Sequence, residues 1–311
     1  SDSRAFDYDT LILAIGSRVR KVSVPGADLP GIHYLRSIAD VNAIREDMAS
    51  GKHAVIIGAG YIGLEVAAVC RQQGLDVTVI EKEDRVMSRV VSANVSDYYQ
   101  LAHTNRGVQL LLSTALAGFE GRRRVRRVLT DREQKITADF VVVGIGIQPN
   151  TQIAEVAGLD VDDGIVVDDR CQTGDPNIYA IGDCTSHPND IFGQRLRLES
   201  VHNALEQAKT AASNICGDES RYCQVPWFWS DQYDLKLQIA GLSKGYDEVV
   251  LRGDPSEGSF ACFYLQAGVL IAVDAINSPR EFVQSKELIA RKAKVAAERL
   301  ADTSVSLKDL P

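Results

Sequence analysis

The 311-residue sequence has no run of about 18 uncharged apolar residues, the length a helix needs to cross a bilayer core. No membrane-spanning helix is expected. It also lacks an excess of positive charge. The formal net charge is −8, whereas a general nucleic-acid binder needs a basic surface to release counterions from phosphates. An anionic membrane surface is excluded on the same ground. Cysteines number six, at Cys70, Cys171, Cys184, Cys216, Cys223 and Cys262, and no two have CxxC or CxxxxC spacing. None lies near a histidine at zinc-binding spacing, so neither a dithiol centre nor a metal site is indicated. They are expected to be small packing residues of a reducing cytosol that take no part in turnover. No signal-peptide pattern opens the chain, and its first residues, Ser-Asp-Ser, include no initiator methionine. A soluble cytoplasmic protein of about two domains is expected.

The composition is that of an ordinary globular protein, with 45% hydrophobic and 24% charged residues. Residues 8–16 form a nearly unbroken apolar run ending in Gly16, as in a strand covered on both faces of a parallel sheet. A helix over 37–49 is expected, started by Ser37 with Ile38, Val41, Ile44 and Met48 on one face. A strand at 54–57, a helix at 61–73 and a strand at 76–81 follow. Next come a strand at 108–112, a polar hairpin-like excursion at 113–138 and a buried strand from Phe140 that closes at Pro149. An amphipathic helix is expected at 200–216, with Val201, Leu205, Ala208, Ala212 and Ile215 on its apolar stripe and Gly217 at its end. From about 221 the pattern changes to strands at 235–241, 246–252, 259–265 and 269–276. A helix over 279–300 then completes a separate α+β domain.

Gly58-Ala-Gly60-Tyr61-Ile62-Gly63 is a GxGxxG with a strand before it and a helix after it. Gly58 permits the tight turn, Gly60 lets the backbone approach a pyrophosphate, and Gly63 lets the helix pack closely on the strand. The pyrophosphate would rest on the helix N-terminus. Glu81 stands 21 residues after Gly60, close to the separation of about 20 expected of the acid that binds the adenosine ribose hydroxyls. A carboxylate there repels a 2′-phosphate, so NADH is expected over NADPH, although Lys82, Arg85 and Arg89 lie near enough to take a phosphate. Arg122, Arg123, Arg124, Arg126 and Arg127 crowd the excursion, either as a docking patch for an acidic partner or, as is commoner, as a solvated hairpin tip.

Several segments together carry a family resemblance. They are Tyr8-Asp-Thr-Leu-Ile-Leu-Ala-Ile-Gly16, the GxGxxG, Gly144-Ile-Gly-Ile-Gln-Pro-Asn150, Gly164-Ile-Val-Val-Asp168 and Ile178-Tyr-Ala-Ile-Gly-Asp183. The chain resembles the flavoprotein reductases with two dinucleotide-binding domains. Glu199-Ser-Val-His-Asn-Ala-Leu-Glu-Gln-Ala208 and Pro226-Trp-Phe-Trp-Ser-Asp231 narrow the likeness to the ferredoxin, rubredoxin and putidaredoxin reductases of oxygenase systems and their relative, apoptosis-inducing factor. The resemblance implies an α/β fold: a doubly wound, Rossmann-like NAD-binding domain (43–150) inserted in a split FAD-binding domain (1–42 and 151–220). A smaller α+β C-terminal domain (221–311) completes it. It implies FAD and NAD as cofactors and a [2Fe–2S] ferredoxin or a rubredoxin-type acceptor as partner. Hydride would pass from NADH to the flavin, and single electrons would leave for the acceptor, with no protein acid, base or nucleophile called upon. Carried over residue by residue, Gly182 and Asp183 would hold the ribityl and phosphate part of the flavin. Val201 would offer its backbone N–H to the flavin ring, and Arg20 would contact FAD. Glu65 would lie near the nicotinamide. Arg89, Gly146, Glu199 and Ser200 would complete the NAD pocket, with Tyr61 and Ile62 of the glycine motif, and Trp229 would stack near the flavin and nicotinamide.

Two departures stand out. Ile15 occupies the place where the family usually has threonine in its Ala-Thr-Gly turn, and no second complete GxGxxG precedes residue 8. The expectation is a chain lacking its first flavin-binding unit and therefore unable to hold FAD tightly. The rivals are an NADH oxidase, a disulfide reductase, or a non-catalytic NAD-binding fragment.

Overall fold

The apolar pentapeptide core of His53–Ile57 is flanked on both sides by parallel strands, which is what a run buried on both faces requires. In the computed structural model, which describes residues 4–311, five parallel strands form one sheet. Their order is Ile32–Tyr34, Phe140–Val143, His53–Ile57, Asp76–Ile80 and Val108–Leu111. The helix Tyr61–Gln72 links the two middle neighbours as a βαβ crossover. The helix Ile38–Ser50 begins at a full capping box, in which Ser37 accepts from Asp40 N–H and the Asp40 carboxylate accepts from Ser37 N–H.

The chain divides into two compact units. Among the described residues, one comprises 19–147, 229–285 and 294–311; the other comprises 4–18, 148–228 and 286–293. In the first, the parallel sheet shares its core with a separate five-stranded sheet, ordered Trp227–Gln232, Leu235–Gly241, Val269–Ile276, Phe260–Gln266 and Glu248–Arg252, whose pairings from Leu235 onward are antiparallel. Ile56, Val79 and Phe140 from one sheet, Leu64 from the helix Tyr61–Gln72, and Leu237, Phe260, Tyr264 and Ile276 from the other sheet belong to one buried cluster. Each large side chain fully buried there contributes roughly 1.5–3 kcal/mol. The excursion is a small three-stranded antiparallel sheet, Leu116–Gly121, Val125–Thr130 and Lys135–Thr137.

In the second unit Leu11–Leu13 pairs in parallel with Ile178–Ala180. Ile165–Val166 pairs with Thr185–Asn189, which turns back antiparallel onto Gln194–Leu196. Leu13, Ala154, Ile165, Ile178 and Cys184 form the core between them. The apolar run at 8–16 therefore yields a strand of three residues, because Gly16 (φ 58°) turns the chain and Ser17 starts a new strand.

Three further departures from the sequence reading have physical causes. A helix, Ala93–Asn105, lies before the strand at 108 where none was expected; its buried face is Val95, Ser96, Tyr99 and His103, half polar and so without an apolar stripe. The helix expected over 279–300 is broken into Pro279–Ala290 and Ala297–Ala301. Lys292 is left-handed (φ 54°) and the Ala293 N–H returns to the Leu288 carbonyl at 2.9 Å, a helix-ending arrangement. In Val201–Ile215 the expected apolar stripe is turned outward, with Val201, Leu205, Ala212 and Ile215 exposed. Its buried face is Asn203, Gln207, Thr210 and Ala211, whose polar groups satisfy a buried turn described below. No helix among the described residues is long and apolar enough to cross a membrane.

Candidate functional site

The strand His53–Ile57 ends at Gly58, whose N–H donates to the Ile80 carbonyl at 2.8 Å. Gly58 has φ 98°, and a Cβ there would lie 2.6 Å from the Gly144 carbonyl oxygen. A Cβ on Gly63 would lie 2.0 Å from the Gly58 carbonyl oxygen, so the helix Tyr61–Gln72 approaches the strand as only glycine allows. Gly60 differs: a Cβ there meets nothing within 4 Å. Its backbone is open to a ligand, and because it caps the helix without a side chain, the positive end of the helix dipole is left for an external anion.

Glu81, at the end of the next strand, reaches back into this loop. Its Oε2 accepts the Ala59 N–H at 2.6 Å and its Oε1 accepts the Glu83 N–H at 2.9 Å. Each carboxylate oxygen retains a further lone pair for a hydroxyl. Of the nearby cations, Arg85 is committed to the chain itself. It donates to the carbonyls of Ser88 (2.7 Å), Val91 (2.9 Å) and Ser92 (3.3 Å), folding the loop 82–92 around its guanidinium. Lys82 and Arg89 are exposed, and among the described residues no hydrogen bond ties Arg89 to the glycine loop.

Tyr61 is half-buried at the helix start, where burial and the facing Asp274 carboxyl push its phenol up; Ile62 is exposed. Glu65 is half-buried and accepts the Ser230 hydroxyl at 2.5 Å. Burial raises its carboxyl above the usual carboxylate range and Asp231 adds to this, while the Ser230 hydrogen bond opposes it. Trp229 is adjacent on the strand Trp227–Gln232 and so faces the opposite way, exposed while Ser230 is buried. Arg20 and Gly146, distant in sequence, are brought together. The Arg20 N–H donates to the Gly146 carbonyl at 3.0 Å, and Arg20 Nε to the Ile147 carbonyl at 3.0 Å.

The other unit holds the remaining candidates. Gly182 (φ 80°) and Asp183 lie in a single 3-10 turn, Gly182–Cys184, where Asp183 Oδ2 accepts the Ser17 hydroxyl at 2.8 Å. Gln207 Oε1 accepts both the Gly182 N–H (2.7 Å) and the Thr185 hydroxyl (3.0 Å), and Gln207 Nε2 meets His187 Nδ1 at 3.1 Å. That imidazole is buried beside Arg195 and its pKa falls to about 4, so it stays neutral as an acceptor at Nδ1. Asn203 accepts the Tyr222 hydroxyl at 2.9 Å and donates to the Leu198 carbonyl at 3.2 Å. Ser200 caps the helix by accepting the Asn203 N–H at 3.1 Å, which leaves Val201 exposed in the first turn. Glu199 is exposed and ion-paired with Arg197. Asn150 donates to the Ile15 carbonyl at 2.7 Å and to the Gly16 carbonyl at 2.9 Å, bracing the Ala-Ile-Gly turn through its backbone whatever side chain stands at 15.

The sequence reading missed Ser17, Ser230, Asn203 and Gln207. The last two were legible as a polar pair at i and i+4 on one helix face. The arginine excursion is substantially neutralised: Arg124 pairs with Asp47, Arg126 with Asp139 and Arg127 with Glu120, while Arg122 and Arg123 are exposed. All six cysteines are free. Cys70, Cys171, Cys184 and Cys262 are buried, and burial pushes the thiols of Cys70, Cys171 and Cys262 up to about 11, 12 and 12. Cys216 and Cys223 are exposed rather than packed, since Cys216 ends a helix and Cys223 follows in an irregular segment.

Set beside known proteins, residues 1–208 match the family described as pyridine nucleotide-disulphide oxidoreductase, and residues 227–311 match that described as reductase C-terminal. Rhodocoxin reductase of Rhodococcus erythropolis is 46% identical over 308 residues, which cover 99% of this chain and 72% of that protein. The solved ferredoxin reductase for the CYP199A2 system of Rhodopseudomonas palustris is similar at a TM-score of 0.96 and 41% identity, over 99% of this chain and 76% of that one. The putidaredoxin reductase in its covalent complex with putidaredoxin is similar at a TM-score of 0.96 and 42% identity, over the same shares.

Proposed function

The chain belongs to the pyridine nucleotide-disulphide oxidoreductase family, and from that premise we propose that it is an NADH-dependent flavoprotein reductase passing electrons to a [2Fe–2S] ferredoxin of an oxygenase system. The observation that carries this reading is the glycine loop. Gly63 is locked against Gly58, Gly60 is open at the helix N-terminus, and the Glu81 carboxylate is held at the loop. That set fits the pyrophosphate and adenosine ribose of a dinucleotide. Rhodocoxin reductase and the ferredoxin and putidaredoxin reductases are named for iron–sulfur or related acceptors, and the likeness to them spans nearly the whole chain.

When bound, FAD would supply the redox chemistry, hydride and single-electron transfer. The residues of this chain bind and orient. Gly58, Gly60, Tyr61, Ile62 and Gly63 cradle the NADH pyrophosphate, and Glu81 takes the ribose hydroxyls. Glu65 and Trp229 would lie near the nicotinamide, and Arg89 and Gly146 would serve the same dinucleotide. The flavin fits the Gly182–Asp183 turn. Ser17 and Gln207 hold that turn, and a Cβ on Gly182 would lie 3.6 Å from Ala204 Cβ, so the Val201 helix runs close beside it. When FAD is bound, Asp183 would hold its ribityl and phosphate part and Val201 would offer its N–H to the ring. The six cysteines of this chain are all free and no two have dithiol spacing. The proposed location is the cytoplasm, where thiols stay reduced. The test is steady-state reduction of a panel of [2Fe–2S] ferredoxins and rubredoxins by NADH. Turnover with a ferredoxin supports the reading; NADH consumption coupled only to oxygen or to a disulfide overturns it.

A further inference from the structure

The buried carboxyl of Asp274 lies in the C-terminal sheet, far in sequence from every residue assigned to the nucleotide. It is 1% exposed, opposite Cys262 and Ile239 in its sheet, and its hydrogen bond is to the Tyr264 hydroxyl. The titratable groups that face it are Tyr264, Cys262, Tyr61 and Tyr99, all neutral, and no arginine, lysine or histidine is among them. Burial without a cation pushes its pKa up to about 7.

That hydrogen bond aims the Tyr264 phenol. The same oxygen that donates to Asp274 accepts the Ser92 N–H at 2.9 Å. Ser92 caps the helix Ala93–Asn105 and ends the loop 82–92 that starts beside Glu81. Arg85 gathers the carbonyls of Ser88, Val91 and Ser92, and the Met87 N–H donates at 2.9 Å to the carbonyl of Ala59, the residue between Gly58 and Gly60. A continuous run of hydrogen bonds therefore joins Asp274 and Tyr264 to the glycine loop. We propose that Asp274 and Tyr264 are positioning residues for dinucleotide binding: through Ser92 and the Arg85-clamped loop they fix the Ala59 carbonyl, and so the geometry of the pyrophosphate cradle. The inference rests on the reading that NADH binds at Gly58–Gly63.

The test is the equilibrium Kd for NADH, with thermal stability, on the purified protein in excess FAD. Tyr264→Phe leaves the buried Ser92 N–H without its acceptor and is expected to raise Kd about three- to tenfold. Asp274→Leu removes the partner that aims the phenol and should raise Kd in the same sense, which keeps the comparison available if Tyr264→Phe does not fold. Asp274→Asn keeps an acceptor for the hydroxyl and should restore Kd to within about twofold. Val250→Ala is the control for stability alone. It removes a buried side chain elsewhere in the same sheet and should lower Tm while leaving Kd unchanged. Folded Tyr264→Phe and Asp274→Leu proteins that bind NADH as wild type does would overturn the proposal, as would a Val250→Ala protein that loses affinity in proportion to its Tm. A wild-type protein that binds no NADH would overturn the functional reading itself, and this inference with it.

Discussion

Glu81 Oε2 stands 2.6 Å from the Ala59 backbone nitrogen, so the acid read as a ribose ligand is also a brace of the glycine loop. Two substitutions separate these roles. Glu81→Gln keeps an acceptor for Ala59 but removes the charge, and it should narrow the preference for NADH over NADPH while leaving Tm nearly unchanged. Glu81→Ala removes both and should also weaken NADH itself, by about tenfold for a lost interaction of roughly 1.4 kcal/mol. Titrations with both nucleotides check this, and tighter binding of NADPH by the unaltered protein would contradict it.

The three glycines of the loop are not equivalent. Gly63→Ala would place a methyl 2.0 Å from the Gly58 carbonyl oxygen, forcing helix and strand apart at a cost of roughly 1–3 kcal/mol or more. Gly60→Ala meets nothing within 4 Å and sits at φ −78°, which any residue adopts. Its stability should change by less than about 0.5 kcal/mol. Its affinity for NADH should nevertheless fall tenfold or more, because the methyl occupies the face the pyrophosphate approaches. Calorimetric Tm and Kd for the pair make the comparison. A Gly60→Ala protein with wild-type affinity would show that the pyrophosphate lies elsewhere.

Glu65 gives the nucleotide site a pH dependence of predictable sign. Its carboxyl is held above the usual range chiefly by burial, and the Ser230 hydroxyl favours the ionised form. Flavin reduction by NADH should show an inflection above the ordinary glutamate pKa. Ser230→Ala should move it further up, and Glu65→Gln should remove it. An inflection that persists in Glu65→Gln belongs to another group.

Asp274 contributes to stability with the same sign. Its folded pKa, about 7, lies above its ordinary value, so the native state binds the extra proton between the two. The contribution is complete below about pH 4 and is lost as pH rises through about 7. Relative to Asp274→Asn, the wild-type Tm should therefore fall as pH is raised across that window. A constant difference would show that Asp274 does not titrate there.

The cysteines are expected to be bystanders. A thiol reagent near neutral pH should label exposed Cys216 and Cys223 first and leave Cys70, Cys171 and Cys262 unreacted, since their thiols are buried and pushed up to about 11 to 12. Doubly labelled protein should keep its NADH-dependent activity, assayed with an artificial acceptor. Stoichiometric inactivation without unfolding would assign one of the two to turnover.

How much of this was legible in the sequence depends on where the information lies. The βαβ unit could be read because glycine spacing, apolar strands and the terminal acid are local, and each has one physical reason. Ser37 at the start of its helix was legible in the same way. The helix Ala93–Asn105 was not, because its buried face is completed by hydrogen bonds, from Ser96 to the Val86 carbonyl and between His103 and Gln232, which substitute for apolar contact. The inward face of Val201–Ile215 was misjudged for the same reason: Asn203 and Gln207 are buried because Leu198, Tyr222, Gly182 and Thr185 satisfy them. Pairings such as Arg20 with Gly146, or Glu65 with Ser230, are 126 and 165 positions apart (146 − 20 and 230 − 65) and exist only once the chain is folded.

The most direct test of the central claim is anaerobic rapid mixing of the protein, supplemented with FAD, with NADH, followed by a second mix with an oxidised [2Fe–2S] ferredoxin. The flavin absorbance should bleach at a rate that saturates with NADH and slows in Gly60→Ala, and it should return as the ferredoxin is reduced. A flavin that NADH does not bleach, or that bleaches equally well in Gly60→Ala, would contradict the account.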